Sequence, residues 1–155
     1  MITAPTAPVI STSERPIVDA GSLLPRVTLV DINTVRAVRG IGAETVAAHV
    51  DCGRFRWVWD IGTNVRGTRR ELRFLAAEVW QNDCPSAEAE AVWSALGSRM
   101  RQRIRVSELE HRWVVSHQLL DSLCAVGELA ASMESRVKWV STRSVCEFLT
   151  RRLVK

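Results

Sequence analysis

Ser116, His117, Gln118, Asp121 and Ser122 place two hydroxyls, an imidazole, a carboxamide and a carboxylate within seven residues, and Arg136, Lys138 and Arg143 follow a short way on. These side chains suit recognition of a base-paired polyanion. A carboxamide can bond adenine N6 and N7, and hydroxyls and imidazoles reach base edges or phosphate oxygens. A carboxylate repels phosphate but can accept from a cytosine amine, and the cations neutralise the backbone. Catalysis has no comparable signal. The chain has no Walker A run, no G-x-S-x-G and no H-E-x-x-H. His49 occupies a core-facing slot as a structural histidine, His111 and His117 are not spaced with a cysteine or carboxylate as a metal set would be, and Cys52, Cys84, Cys124 and Cys146 form no C-x-x-C pair. The reading is therefore of a non-enzyme with no cofactor, no metal and structural thiols in a reducing compartment.

The elements around this cluster follow from its periodicities. A short amphipathic helix is expected over 107–113, then a turn ending at Ser116. A second helix carries Leu119, Leu120, Leu123 and Cys124 on one face and stops at Gly127. Extended segments at 129–132 and 137–140 flank a polar loop. Ser141 caps a last helix with Val145, Phe148 and Leu149 on one face.

Helix, turn, helix, two-stranded wing and closing helix is the order of a winged helix-turn-helix. The turn VVSHQLL, the helix end CAVGEL, the wing end KWVS and the last helix RSVCEFLTRR resemble the excisionase and MerR-type DNA-binding domains over about the last third of the chain. The resemblance implies a recombination directionality factor of a mobile element, acting beside an integrase, or a transcriptional repressor of the same fold. The stretch lacks the long coiled coil and effector domain of MerR-type activators.

The pattern occurs a second time. Aligning Gly53 with Gly127, an offset of 74 (127 − 53), matches Val35, Ile41, Val46 and Val50 with Leu109, Val115, Leu120 and Cys124. Beyond the wing the offset is set at 73, so that Thr68 meets Ser141 and Leu75 meets Phe148. In this register Asn33 caps a helix over 33–38, and a second helix spans 44–51. The segment 54–61 alternates Phe55, Trp57, Trp59 and Ile61 with Arg54, Arg56, Val58 and Asp60, the period of a half-buried strand, so the two tryptophans are core residues. Residues 68–71 form a capping box opening a helix with Leu72, Leu75, Ala76 and Val79 inward and Arg69, Arg70 and Arg73 outward. The second helix exposes Ala43, Glu44, Ala47 and Ala48, which are poor base readers. Contacts here would fall to Arg36, Arg39, Arg54, Arg56, Arg66, Arg69 and Arg70, mainly to phosphate. The alternative is a module used for dimerisation.

The fold class expected is mainly α with small β-wings, as two tandem winged helix-turn-helix modules joined by a helix. The divisions are a disordered tail at 1–26, rich in Pro, Ser and Thr, an N-terminal module at 27–82, a linker helix at 83–105 and a C-terminal module at 106–155. The linker helix is read at about 87–103. The 155 residues carry 46% hydrophobic and 25% charged side chains and a formal net charge of +4, a globular composition with a mild basic excess. Only Lys138 and Lys155 are lysines; the remaining basic residues are arginines, which form bidentate contacts to phosphate and guanine. With no apolar run of membrane length and no signal peptide, the expected setting is the bacterial cytoplasm, at the nucleoid, without membrane. The function expected is sequence-preferring binding of double-stranded DNA, with a homo-oligomer on DNA and an integrase or recombinase as further partners. A protein-interaction module that has lost DNA binding and uses Trp-rich surfaces is the reading from another class.

Overall fold

The computed structural model describes residues 27–63, 69–81, 84–97 and 101–155. The expected tail at 1–26, the capping residue Thr68 and Arg66 lie outside them. Among the described residues about half are helical, in seven helices, and six strands form two three-stranded antiparallel sheets. The architecture is mixed α/β.

The first half runs β1 (Leu29–Val30), α1 (Ile32–Arg39), α2 (Ala43–Asp51), β2 (Val58–Asp60), β3 (Leu72–Leu75) and α3 (Ala76–Gln81). A helix α4 (Glu88–Leu96) follows. The second half repeats the order as β4 (Arg103–Arg105), α5 (Val106–Trp113), α6 (His117–Ala125), β5 (Ala131–Glu134), β6 (Val137–Ser141) and α7 (Thr142–Arg152). The sheets match strand for strand, β1-β3-β2 and β4-β6-β5.

Hydrogen bonds repeat with the chain. The N–H groups of Gly40 and Ile41 donate to Arg36 C=O, and that of Val115 donates to Glu110 C=O, the equivalent pair to Ile41 and Arg36 at offset 74. After the second helix, Gly53 donates to Val50 and Arg54 to His49; likewise Gly127 donates to Cys124 and Glu128 to Leu123. Gly53 and Gly127 both have positive φ, the left-handed geometry that ends a helix and suits glycine. The turn between the paired helices also needs a left-handed residue. Gly40 fills it in the first half, but Val114 fills it in the second, at φ 50°. A β-branched residue is strained there. Val114→Gly is expected to raise stability by about 1 kcal/mol, seen as a higher urea midpoint; a lower midpoint would show that the valine side chain contributes more than its backbone costs.

Several expectations from sequence are corrected. Asp31, not Asn33, caps α1, accepting from Thr34 N–H at 2.9 Å. Residues 72–75, read as helix, form strand β3, paired with β1 and β2, and the helix begins at Ala76. The offset beyond the hairpin is therefore 66 (142 − 76), not 73: Ala76 N–H bonds Thr28 C=O as Thr142 N–H bonds Gln102 C=O. Leu72, Leu75, Ala76 and Val79 have helical spacing, but Val30 and Val58 take Phe74 as a strand partner, and tertiary pairing overrides a four-residue pattern. Arg73, expected outward, is buried. The strand read at 54–61 shortens to Val58–Asp60, because the Glu78 carboxylate takes the N–H groups of Arg56 and Trp57. Helix α4 ends at Leu96, before Gly97, and Arg103–Arg105 forms a strand with the second half. Each hairpin thus gains a third strand, and the first sheet is buried on both faces.

The halves share a core. Trp59, Ile61 and Leu75 of the first sheet pack with Leu96 of α4, Trp113 of α5, and Phe148 and Leu149 of α7. Trp57 and Trp59 are buried there, as expected. Val30, Val58 and Phe74, on the other face, close a smaller core over Val35, Val46 and Val50 of α1 and α2. Beyond α7, Leu153 bridges to Trp59 and Val154 N–H donates to Val58 C=O at 2.8 Å, so the chain covers the outer edge of β2.

Candidate nucleic-acid interface

Helix α6 starts at Ser116, whose hydroxyl accepts from Leu119 N–H at 3.2 Å. Its first turn stands beside the β5–β6 hairpin, and an open cleft of about 530 Å³ lies between them. His117, Asp121, Arg136 and Lys138, predicted separately from sequence, all line it. Gln118 is exposed on the same helical turn. Ser122 is half-buried and its hydroxyl turns back to Gln118 C=O at 2.8 Å, so it contributes less than expected.

One chain of ion pairs crosses the cleft. Lys138 Nζ donates to Asp121 Oδ1 at 2.7 Å. Asp121 Oδ2 lies 3.1 Å from His117 Nε2, and His117 Nδ1 meets Glu110. The Lys138 hydrogen bond holds the Asp121 carboxyl below its ordinary range and the Lys138 ammonium above its own. Asp121 is thereby neutralised, and its repulsion of phosphate is offset by an ammonium in the same cleft. His117 faces carboxylates at both ring nitrogens, and only the doubly protonated ring can donate to both. The Glu110 hydrogen bond, followed by the Asp121 charge, raises its pKa above the ordinary 6.5. A cation in the first turn opposes the helix dipole, and the two carboxylates outweigh that.

The sign of the pH effect follows. A raised folded-state pKa contributes stability that is full below about 6.5 and is lost as pH rises through the folded value. Protonation also adds a positive charge to the cleft. An NMR titration of the His117 ring is expected to give a midpoint above 6.5, and Glu110→Gln is expected to lower it. A midpoint at or below 6.5 in the parent chain would contradict this geometry.

Arg136 sits at the tip of the hairpin. It and Ser135 have φ of 65° and 50° in a two-residue turn closed by the Glu134–Val137 pair. Such turns favour Asn-Gly, and the arginine is held in a conformation that its side chain disfavours. Among the described residues Arg136 has no carboxylate partner.

The other predicted residues lie elsewhere. Arg143, exposed in the first turn of α7, pairs with Glu147 at 3.0 Å. Arg39 and Arg54 line a different cleft, of about 450 Å³, with His49, Phe55 and Glu78. There Arg39 donates to Glu78 C=O at 3.1 Å, and Arg54 lies 3.1 Å from His49 Nε2. Arg56 donates to Ser86 C=O at 2.7 Å, which fixes it to the loop before α4. Arg70 approaches Asp51 at 3.6 Å, and Arg36 and Arg69 are exposed. The two clefts share no lining residue. Sequence reasoning missed Arg105 and Glu110, both on the first cleft. The alternation of Arg103, Ile104 and Arg105 was the available signal for the strand that delivers Arg105.

Among the described residues no group of three or more His, Cys, Asp or Glu side chains could hold a metal ion, and no helix is long and apolar enough to cross a membrane. No protein-family model matches the chain, and no curated protein or solved structure is significantly similar to it.

Proposed function

We propose that the chain binds double-stranded DNA with sequence preference, through a winged helix-turn-helix in its second half. The observation that carries this reading is the cleft itself. The exposed first turn of a helix, with Gln118 and His117, stands beside a hairpin that brings Lys138 and the tip arginine Arg136 to the same side. That pairing suits a helix in the major groove and a hairpin against the backbone. Gln118 reads bases, and His117, paired at both ring nitrogens, adds positive charge to the cleft; Lys138 and Arg136 supply affinity through phosphates. The first half is a second module of the same winged kind. Its helix α2 presents alanines where α6 presents His117 and Asp121, so it supports the core and adds phosphate contacts from Arg36 and Arg69 rather than reading bases. The role of recombination directionality factor rests on the resemblance of 107–155 to excisionases, with a repressor as its alternative. The interaction-module reading keeps part of its basis: Trp57, Trp59 and Trp113 are buried, while Trp80 is 39% exposed and Trp93 and Trp139 are half-buried.

A gel-shift on the DNA upstream of the protein's own gene against random DNA of equal length, at two salt concentrations, tests this. The expected result is tighter binding to the upstream DNA that weakens steeply with salt. No shift of either duplex at low salt would refute DNA binding.

A further inference from the structure

The internal repeat makes the two sheets comparable position by position, and their outer faces differ. In the first half this face carries Leu29 and Trp59 and packs against the second half. By the shared strand register, Arg103 stands where Leu29 does, Ser132 where Trp59 does and Trp139 where Arg73 does. The face that glues the modules together in the first half is polar in the second, where Arg103 pairs with Glu134 and Arg101 with Glu108, leaving Arg105 as its cation without a carboxylate partner among the described residues. The Arg103 and Arg105 guanidinium carbons lie 4.5 and 5.1 Å from the centroid of the Trp139 ring. A shallow cleft of about 440 Å³ runs beside them, lined by Arg101, Arg105, Glu108 and Trp139. Arg105 lines both this cleft and the one at α6, so the two surfaces are continuous.

Arg105 also occupies the N-cap of α5, the position that Asp31 holds in the first half. Asp31 accepts a helix N–H; Arg105 makes no side-chain cap bond and places a cation at the positive end of the helix. Local rules strongly favour an acceptor there. An arginine at that site costs stability, and departures from local preference concentrate at functional or strained sites. Arg105 has no carboxylate partner among the described residues.

We propose that this Arg–Trp–Arg face is a second phosphate-binding surface, which follows the backbone of the bound duplex away from the α6 cleft and onto the sheet. The proposal rests on the DNA-binding reading given above. Trp139 contacts both guanidiniums by cation–π interaction and so restricts where they stand on the face.

The test is Arg105→Ser in the full chain, with Arg105→Lys and Lys138→Ala beside it. Arg105→Ser is expected to raise the melting temperature by about 3 °C by restoring a cap. It should also lower duplex affinity several-fold and reduce the slope of log K against log salt by about 1. Arg103→Ser added to it should reduce the slope by about 2 in total. Arg105→Lys should keep the slope of the parent chain. If Arg105→Ser leaves affinity and slope unchanged while Lys138→Ala weakens binding, the face is not a DNA contact and the cleft reading stands alone. If the parent chain binds no duplex, both readings fail together.

Discussion

Arg73→Ala is expected to lower the free energy of unfolding by roughly 3–5 kcal/mol. Arg73 is 6% exposed, on the middle strand of the first sheet. Its Nε donates to Trp113 C=O at 2.9 Å, and its Nη2 donates to Val114 C=O at 2.9 Å and to Glu71 at 3.0 Å. The two carbonyls are the last of helix α5, which α5 itself cannot satisfy. One guanidinium from the first half thus caps a helix of the second and complements its dipole. Removing it leaves the buried Trp113 carbonyl and the part-buried Val114 carbonyl without that donor and opens space between the halves. The check is the urea midpoint, with the slope unchanged. Arg73→Lys should recover less than half of the loss, since an ammonium cannot span two carbonyls and a carboxylate in a plane. A loss under about 1 kcal/mol for Arg73→Ala would mean that water replaces the guanidinium and that the halves are not joined through it.

Glu78→Ala carries the second large effect, a loss of roughly 2–4 kcal/mol. The Glu78 carboxylate, on the buried side of α3, accepts from Arg56 N–H at 2.7 Å and from Trp57 N–H at 2.9 Å. These two donors would otherwise extend the ladder of β2, and the Trp57 donor is buried. Truncation strands them. Glu78→Gln keeps one carbonyl oxygen and should lose about half as much. Equal losses for the two variants, measured by chemical denaturation, would show that the side chain acts through packing and not as an acceptor.

Both residues show where the sequence is legible and where it is not. The offset of 74 between the halves is readable because a paired helix and its turn have narrow local requirements, met at Gly53 and Gly127. Beyond the hairpins the register slips, since the two loops differ in length and nothing local fixes them. Strand β3 hides behind helical spacing because it is buried on both faces, which removes the alternation that marks a half-exposed strand. Arg73 then reads as an outward helical residue, although its partners, Trp113 and Val114, are fixed only by tertiary structure. The cleft was partly legible. His117, Asp121, Arg136 and Lys138 fall together because α6 and the hairpin are adjacent in sequence. Glu110 and Arg105 were not legible, because they come from the preceding helix and a three-residue strand. Asp121 read from sequence as a carboxylate that repels phosphate but can accept from a cytosine amine, and only the structure shows Lys138 against it.

Four positions in the second half go against local preference: Arg105 at an N-cap, Val114 in a left-handed turn, and Ser135 and Arg136 at a hairpin tip. Two of them are arginines lining the same cleft. Stability given up at neighbouring cations accords with a surface shaped for a polyanion.

The central claim is that DNA is held by the first turn of α6 and the adjoining hairpin. Amide chemical shifts of the labelled chain, followed as an unlabelled duplex of its upstream DNA is added, test it most directly. The largest changes are expected at 116–122 and 136–138, with smaller ones at Arg105 and little change at 44–48. Changes confined to the first half, or none at saturating duplex in low salt, would contradict it.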